Sequence, residues 1–358
     1  MGNTINILID NLLATFWRLL DLPVYALLIL LFGILFSVNL ILLRLRKKSS
    51  TKKVWLINGV IVLVAVVLLV DKKISNLKKE NDALNDKYAK AIMGQTSINK
   101  VNKVYHLDSL VQLLPGANIS EKPINQAIDL ITIRQRNPNS MSFISIVDLN
   151  NPQVVINITE AKNEKILTST FAKETNSILA INGEAGETPH MDAPLGEWTG
   201  NWVSKGNPVL LADSENRPFM SFSKFNEGHY YKQEIVDTVL TEEKYNTIWG
   251  RFDILIEGQT VKFENDKQYA RTIMGLNQEG NLLYLMVVDG KRPQYSLGLE
   301  YYKCANILKA LGAYNVMSCD QGGSSTMYLE SLGGVVNRPG DAGGMERPIY
   351  SHFGISLK

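Results

Sequence analysis

The chain has 358 residues, 45% of them apolar, enough to bury the cores of about two ordinary domains and more than a disordered chain carries. Its 37 Lys and Arg nearly balance 35 Asp and Glu, leaving a formal net charge of +2 that excludes the basic surface of a general nucleic-acid binder. Two cysteines, Cys304 and Cys319, are too few for a disulfide framework, and no CxxC pair of zinc-ligand spacing occurs. An outward-facing domain would let the two bridge; a pair of buried free thiols is the other outcome.

Apolar residues crowd the start of the chain. Residues 1–21, with Trp17 near their end, read as an amphipathic segment lying at a membrane interface. Residues 22–43 contain no charge and, at 1.5 Å per residue, span the roughly 30 Å hydrocarbon layer as a transmembrane helix. Residues 44–53 hold Arg44, Arg46, Lys47, Lys48, Lys52 and Lys53 without an acid, which predicts a cytoplasmic loop. The uncharged stretch 54–70 follows as a second, short span, a buried core helix being its other reading. Together they predict a multi-pass hairpin in the cell membrane with the C-terminal domain on the extracytoplasmic side, against which the lysines at 72, 73, 78 and 79 count.

Residues 71–93 place Ile74, Leu77, Asn81, Leu84, Tyr88 and Ala91 in a three-four alternation, the pattern of a helical stalk. A lone Asn in such a seam fixes register and would suit a parallel homodimer; a single solvated helix acting as spacer fits as well. Residues 94–139 read as a connector with one or two helices, broken at Pro115-Gly116, Lys122-Pro123 and Pro138.

From 140 to 358 the pattern changes to short β-branched-rich runs between turn residues, predicting strands over 141–148, 154–159, 177–181, 208–211, 252–256 and 282–288. One helix is expected over 299–311, stopped by Gly312, with a further strand at Val316. Few helices among many strands predict an α+β domain built on a mixed β-sheet.

Polar residues cluster at the ends of these runs. The Val316 strand delivers Asp320, then Gln321, Gly322, Gly323, Ser324, Ser325 and Thr326. Paired glycines let the backbone turn sharply and bring bare N–H groups to an anion, and a carboxylate at a strand end sits on a rigid support; a plain hairpin turn is the other reading. Upstream lie Asn182-Gly183-Glu184, Arg271-Thr272 with Gly275, Asp289-Gly290 at the end of another strand, and Ser296 and Gly298 before the helix. Each signal is weak alone, since Asp-Gly marks hairpins and an Arg beside a strand is usually a solvated partner of some acid. If the strand ends meet on one rim, two carboxylates and a guanidinium supply what cleavage of a sugar–phosphate bond needs.

Taken in this order, and with Val335-Val336-Asn337-Arg338-Pro339 and Glu346-Arg347-Pro348 at the close, these residues resemble the phosphodiester glycosidase family over roughly residues 140 to 357. The resemblance implies a hydrolase that releases a sugar, an N-acetylhexosamine, from a sugar-1-phosphodiester in a cell-envelope glycan such as an exopolysaccharide. It implies that Arg271 binds the phosphate with help from the N–H groups of Gly322 and Gly323, and that Asp289 and Asp320 are the candidates for acid, base or nucleophile; Glu184, at a position where this chain departs from the family, offers a further catalytic carboxylate. Asn182, Gly183, Thr272, Ser296, Gln321, Ser324, Ser325, Thr326 and Arg347 become candidate substrate contacts. Two departures stand out: Gln321 replaces the first of three glycines, and Glu184-Ala185-Gly186 stands where the family tends to show aromatic residues.

Other enzyme classes fit less well. The Gly322–Thr326 stretch lacks the closing glycine of a serine nucleophile elbow, and no lysine follows the glycines as a phosphate loop requires. The four histidines are scattered; only His190, near Glu184, Glu187 and Asp192, has neighbours suited to metal or acid–base work, so no cofactor is established and a divalent cation stays open. A non-catalytic envelope protein that binds anionic glycans with the same fold is the competing function.

Overall fold

In the computed structural model the described residues are 105–160, 164–184, 200–211, 217–233, 240–341 and 344–358. The chain divides into two units, Met1–Gly94 and Gln95–Lys358, and every described residue belongs to the second. The interfacial segment, both expected spans, the basic loop and the stalk lie outside the described residues. Among the described residues, no helix is long and apolar enough to cross a membrane.

Helix α1 (Leu107–Leu113) precedes β1 (Asn118–Pro123), β2 (Ile128–Arg136), β3 (Asn139–Asp148) and β4 (Val154–Ile158). Helix α2 (Thr168–Glu174) leads into β5 (Leu179–Asn182), and the short strands β6 (Trp202–Ser204), β7 (Asn207–Leu210), β8 (Phe219–Phe222), β9 (Gly228–Tyr231) and β10 (Asn246–Trp249) follow. Next come β11 (Phe252–Ile256), β12 (Gln259–Thr260), β13 (Arg271–Leu276), β14 (Leu282–Val288), α3 (Tyr301–Leu311) and β15 (Asn315–Ser318). A 3-10 turn at Gly322–Ser324, then β16 (Met327–Leu329), β17 (Gly334–Val335) and β18 (His352–Leu357), complete the domain.

These strands form an eight-stranded sheet in the order β1-β2-β3-β14-β13-β15-β11-β12 and two five-stranded sheets, β17-β16-β5-β18-β4 and β7-β6-β10-β8-β9. The domain is sheet-rich with few helices, as the sequence pattern predicts. Where a mixed sheet was expected, the strand pairs among the described residues are antiparallel, as in β3–β14, β14–β13 and β13–β15. Antiparallel neighbours need only short connections, which suits a chain with so few crossover helices.

Strand β14 explains the centre of the large sheet. All seven of its residues are buried, as expected for a strand flanked on both sides and covered on both faces. One alternate set, Tyr284, Met286 and Val288, joins Ile144 and Ile146 of β3 against α3. The helix answers with Tyr301, Cys304, Ala305, Leu308 and Leu311, spaced three and four apart along one face. Burying each large apolar side chain there contributes roughly 1.5–3 kcal/mol. Gly312 ends the helix in the left-handed conformation at φ 111°, and its N–H reaches the carbonyls of Leu308 and Lys309.

Two boundaries differ from the sequence reading. The helix starts at Tyr301 rather than at residue 299, because Leu299 pairs with Tyr269 as an isolated bridge. Its cap comes from a distant segment: Asp266 accepts the N–H groups of Tyr301 at 2.8 Å and Tyr302 at 3.0 Å. Of the stretch 94–139, expected to be a connector with one or two helices, the described part holds one helix, α1, and in place of a plain connector it adds two strands to the main sheet. Pro123 hid β1, yet an edge strand tolerates proline at its end because the outward N–H has no ladder partner. Cys304 and Cys319 are both buried free thiols, without the bridge.

Candidate active site

Antiparallel pairing brings the predicted motifs together. Arg271 opens β13 opposite Val288, the last residue of β14, and Ile273 faces Ser318, the last residue of β15. The start of one strand therefore lies beside the ends of its two neighbours, and Arg271, Asp289 and Asp320 arrive at one rim. The second sheet joins them where the Asp320 N–H reaches the Gly183 carbonyl at 3.3 Å, just past the end of β5.

Asn182 is the joint between the two sheets. Its amide donates to the carbonyls of Gly183 at 3.1 Å and Asp320 at 3.0 Å. Its Oδ1 accepts the Thr272 hydroxyl at 2.6 Å and the Thr326 N–H at 3.0 Å. Both amide hydrogens and both lone pairs are used, so Asn182 and Thr272, expected to touch substrate, serve as scaffold. Gly183 packs directly on Ser351, whose Oγ would lie 2.5 Å from an added Cβ. Ser296 likewise faces inward, donating to the Asp289 carbonyl and accepting the Met141 N–H at 3.1 Å.

The three candidate carboxylates have different surroundings. Asp289, 1% exposed, accepts the Asn337 amide and the Tyr295 hydroxyl, each at 2.9 Å, and the Arg338 N–H at 2.9 and 3.0 Å on its two oxygens. Burial pushes its carboxyl up to about 6, while these donors and the nearby Arg292 pull the other way. Asn337 in turn holds the Ser325 carbonyl at 2.9 Å and the Met327 N–H at 2.8 Å. Asp289 thus positions the segment that carries the glycine loop. Glu184, 3% exposed, lies 3.3 Å from the Arg251 guanidinium. Asp320, 8% exposed, accepts the Gln321 N–H on Oδ1 at 2.8 Å, and its other oxygen has no hydrogen bond among the described residues.

A pH-dependent outcome follows for Asp289. A carboxyl raised from 3.8 to about 6 on folding contributes stability that is fully present below pH 4 and lost as pH rises through 6. At 1.36 kcal/mol per pKa unit the change is about 3 kcal/mol. Asp289→Asn removes this titration and turns one acceptor into a donor facing donors. The variant should be less stable than the parent, by a gap that narrows between pH 4 and pH 7 in urea unfolding. A constant or widening gap would contradict the assignment.

The glycine loop is shaped by what covers it. Gly322 adopts φ 82°, and its N–H, expected to face a phosphate, donates instead to the Ala270 carbonyl at 3.0 Å. Above Gly323, Arg347 and Asp341 form a two-pronged ion pair at 2.9 Å on both prongs. An added Cβ on Gly323 would lie 1.9 Å from the Asp341 carboxylate and 2.3 Å from the guanidinium, so only bare backbone lets the pair rest there. The Ser324 hydroxyl closes the turn onto the Gln321 carbonyl at 3.2 Å. Among the described residues, the buried Ser325 and Thr326 hydroxyls have no hydrogen-bond partner. The exposed Lys291 ammonium lies 4.9 Å from the Tyr269 ring centre, against Gly322.

Arg271 is held from several sides. It donates to the carbonyls of Leu299 at 3.2 Å and Lys267 at 2.7 Å, approaches Asp266 at 3.5 Å, and stacks 3.6 Å from the Tyr301 ring centre. Its remaining prong, Nη1, donates to the Gln321 side-chain oxygen, which also accepts the Tyr301 hydroxyl at 3.0 Å. Sequence reasoning missed Tyr301, Asp266 and Asp341 altogether. Lys291, Tyr295 and Asn337 stood in stretches that the sequence had already singled out, at 287–292, 295–298 and 335–339, but without their roles. Among the described residues, no group of three or more His, Cys, Asp or Glu is placed to hold a metal ion; His190 lies outside them.

The rim therefore combines a carboxylate, buried and exposed cations and a glycine turn, the groups of a hydrolase acting at a sugar–phosphate linkage. A phosphodiester glycosidase profile matches residues 175–356, and the chain belongs to that family. Among solved structures, the catalytic domain of zebrafish N-acetylglucosamine-1-phosphodiester alpha-N-acetylglucosaminidase, auto-inhibited by its pro-peptide, aligns with a TM-score of 0.50 at 20% identity. That alignment covers 72% of this chain and 96% of the zebrafish chain. A hypothetical protein from Synechocystis aligns with a TM-score of 0.53 at 12% identity, over 68% of this chain and 64% of its own. Both likenesses concern the fold. No curated protein matched the sequence.

Proposed function

We propose that the domain hydrolyses the bond between the anomeric carbon of an N-acetylhexosamine and the phosphate of a phosphodiester in a cell-envelope glycan, with Asp320 as the catalytic carboxylate. The observation that carries the assignment is the contrast among the three acids. Asp289 spends both oxygens on internal donors and Glu184 is paired with Arg251, whereas Asp320 keeps one oxygen free of hydrogen bonds among the described residues and interacts electrostatically with Arg347. Arg347 and Lys291 supply the positive charge that a phosphodiester and its monoester product need.

In this reading water adds at the anomeric carbon, the carbon–oxygen bond to phosphate breaks, and a phosphate monoester leaves with its bridging oxygen. Reaction in 18O-water of a methyl phosphodiester of N-acetylglucosamine tests it: the label should appear in the released sugar. Label found in the phosphate would show phosphorus–oxygen cleavage and overturn the proposal.

The envelope setting is supported by the uncharged stretches 22–43 and 54–70 with the basic residues 44–53 between them. Protease added to intact cells should then digest the C-terminal domain; protection would contradict an outward orientation.

A further inference from the structure

We propose that Gln321 sets substrate affinity by holding its amide oxygen at the point where an anionic oxygen of the ligand binds Arg271 and Tyr301. The inference rests on the site assigned above and extends it to a residue that competes with the substrate.

Two donors from different elements converge on that one oxygen: Arg271 Nη1 from the start of β13 and the Tyr301 hydroxyl from α3. Neither is free to wander. The carbonyls of Leu299 and Lys267 hold the guanidinium from behind, and the Tyr301 ring stacks beneath it. Asp266 ties the two together, because the same carboxylate caps α3 at Tyr301 and approaches Arg271. Burial raises the Tyr301 hydroxyl above its ordinary value, so it stays protonated and able to donate.

A fixed cation and a fixed hydroxyl aimed at one point suit an anionic oxygen better than a neutral amide. Hydrogen bonds to charged groups contribute about 1.5–3 kcal/mol against about 0.5–1.5 for neutral pairs. The ligand class is therefore a phosphate or phosphodiester oxygen. Displacing the amide costs the loop little: the Gln321 backbone is extended at φ −129°, and its N–H holds Asp320 independently of the side chain. Gln321 is partly exposed and can swing outward by rotating its side chain alone.

The test uses the full-length chain and inorganic phosphate as probe, with binding followed by calorimetry and, separately, inhibition and KM measured on an N-acetylglucosamine phosphodiester. Gln321→Gly and Gln321→Ala, the second of which keeps the backbone restricted, should tighten phosphate binding by about tenfold and lower KM by a similar factor, with kcat changing less than either. Gln321→Glu places a carboxylate on both donors and should weaken phosphate binding at least as much. Adding Tyr301→Phe to Gln321→Ala should cancel most of the gain. Unchanged or weaker phosphate binding in both Gln321→Gly and Gln321→Ala, with melting curves like the parent, overturns the inference. Because the calorimetry needs no turnover, it decides this point even if the phosphodiester is not a substrate.

Discussion

Asp320→Asn is expected to lower release of sugar from a sugar-1-phosphodiester by about 10²–10⁴-fold, the range typical of losing a positioned acid or base. The substitution keeps size and shape. The amide oxygen can still accept the Gln321 N–H, and the loop stays anchored through the Asp320 N–H and carbonyl, which bond Gly183 and Asn182. What is lost is the charge at the rim. Initial rates compared with circular-dichroism melting separate chemistry from folding. Turnover within about threefold of the parent, in a protein that melts alike, would remove Asp320 from the mechanism and leave Glu184 as the next acid to examine.

Asn182→Asp should produce the largest loss of stability. The side chain is fully buried, and its amide nitrogen faces two carbonyl oxygens, those of Gly183 and Asp320. A carboxylate there would set negative charge against both with no cation among its hydrogen-bonded neighbours, whereas Thr272 and Thr326 would still donate to the other oxygen. Leaving a charge buried without a partner costs about 3–5 kcal/mol, a large part of the 5–15 kcal/mol that holds an ordinary domain together. The sign of the pH dependence is fixed as well. Protonation of the introduced carboxyl restores one donor, so the deficit should be smaller at pH 5 than at pH 7.5. Equal urea midpoints for variant and parent at pH 7.5 would show that Asn182 is not the joint described.

Both expectations depend on a distinction that residue type alone does not make. Asp289 and Asp320 look alike in the sequence: each follows an apolar strand and precedes glycine or Gln-Gly. In the fold, Asp289 meets Asn337 and Arg338, nearly fifty positions away, and becomes a positioning group, whereas Asp320 meets its own neighbour and keeps an oxygen at the rim. Gly322 shows the same limit. Its conformation was legible from the paired glycines, but the partner of its N–H, the Ala270 carbonyl, comes from a strand start some fifty residues earlier.

Local pattern was sufficient where physics is local. The apolar run of β14, the three-four spacing of α3 and its glycine stop each follow from which residues can be buried at a given period, so the sequence alone determined a sheet-rich domain with one well-formed helix near its C-terminal end. It also placed the chemistry-bearing residues at strand ends, but that they share one rim was decided by the antiparallel pairing of β13 with β14 and β15. Tertiary structure alone decided that residues 118–136 pair into the main sheet, that Asn182, Thr272 and Ser296 are joints, and that Gln321 rather than a ligand meets Arg271. A buried polar group must find a partner, and which partner it finds depends on contacts between segments far apart in the chain.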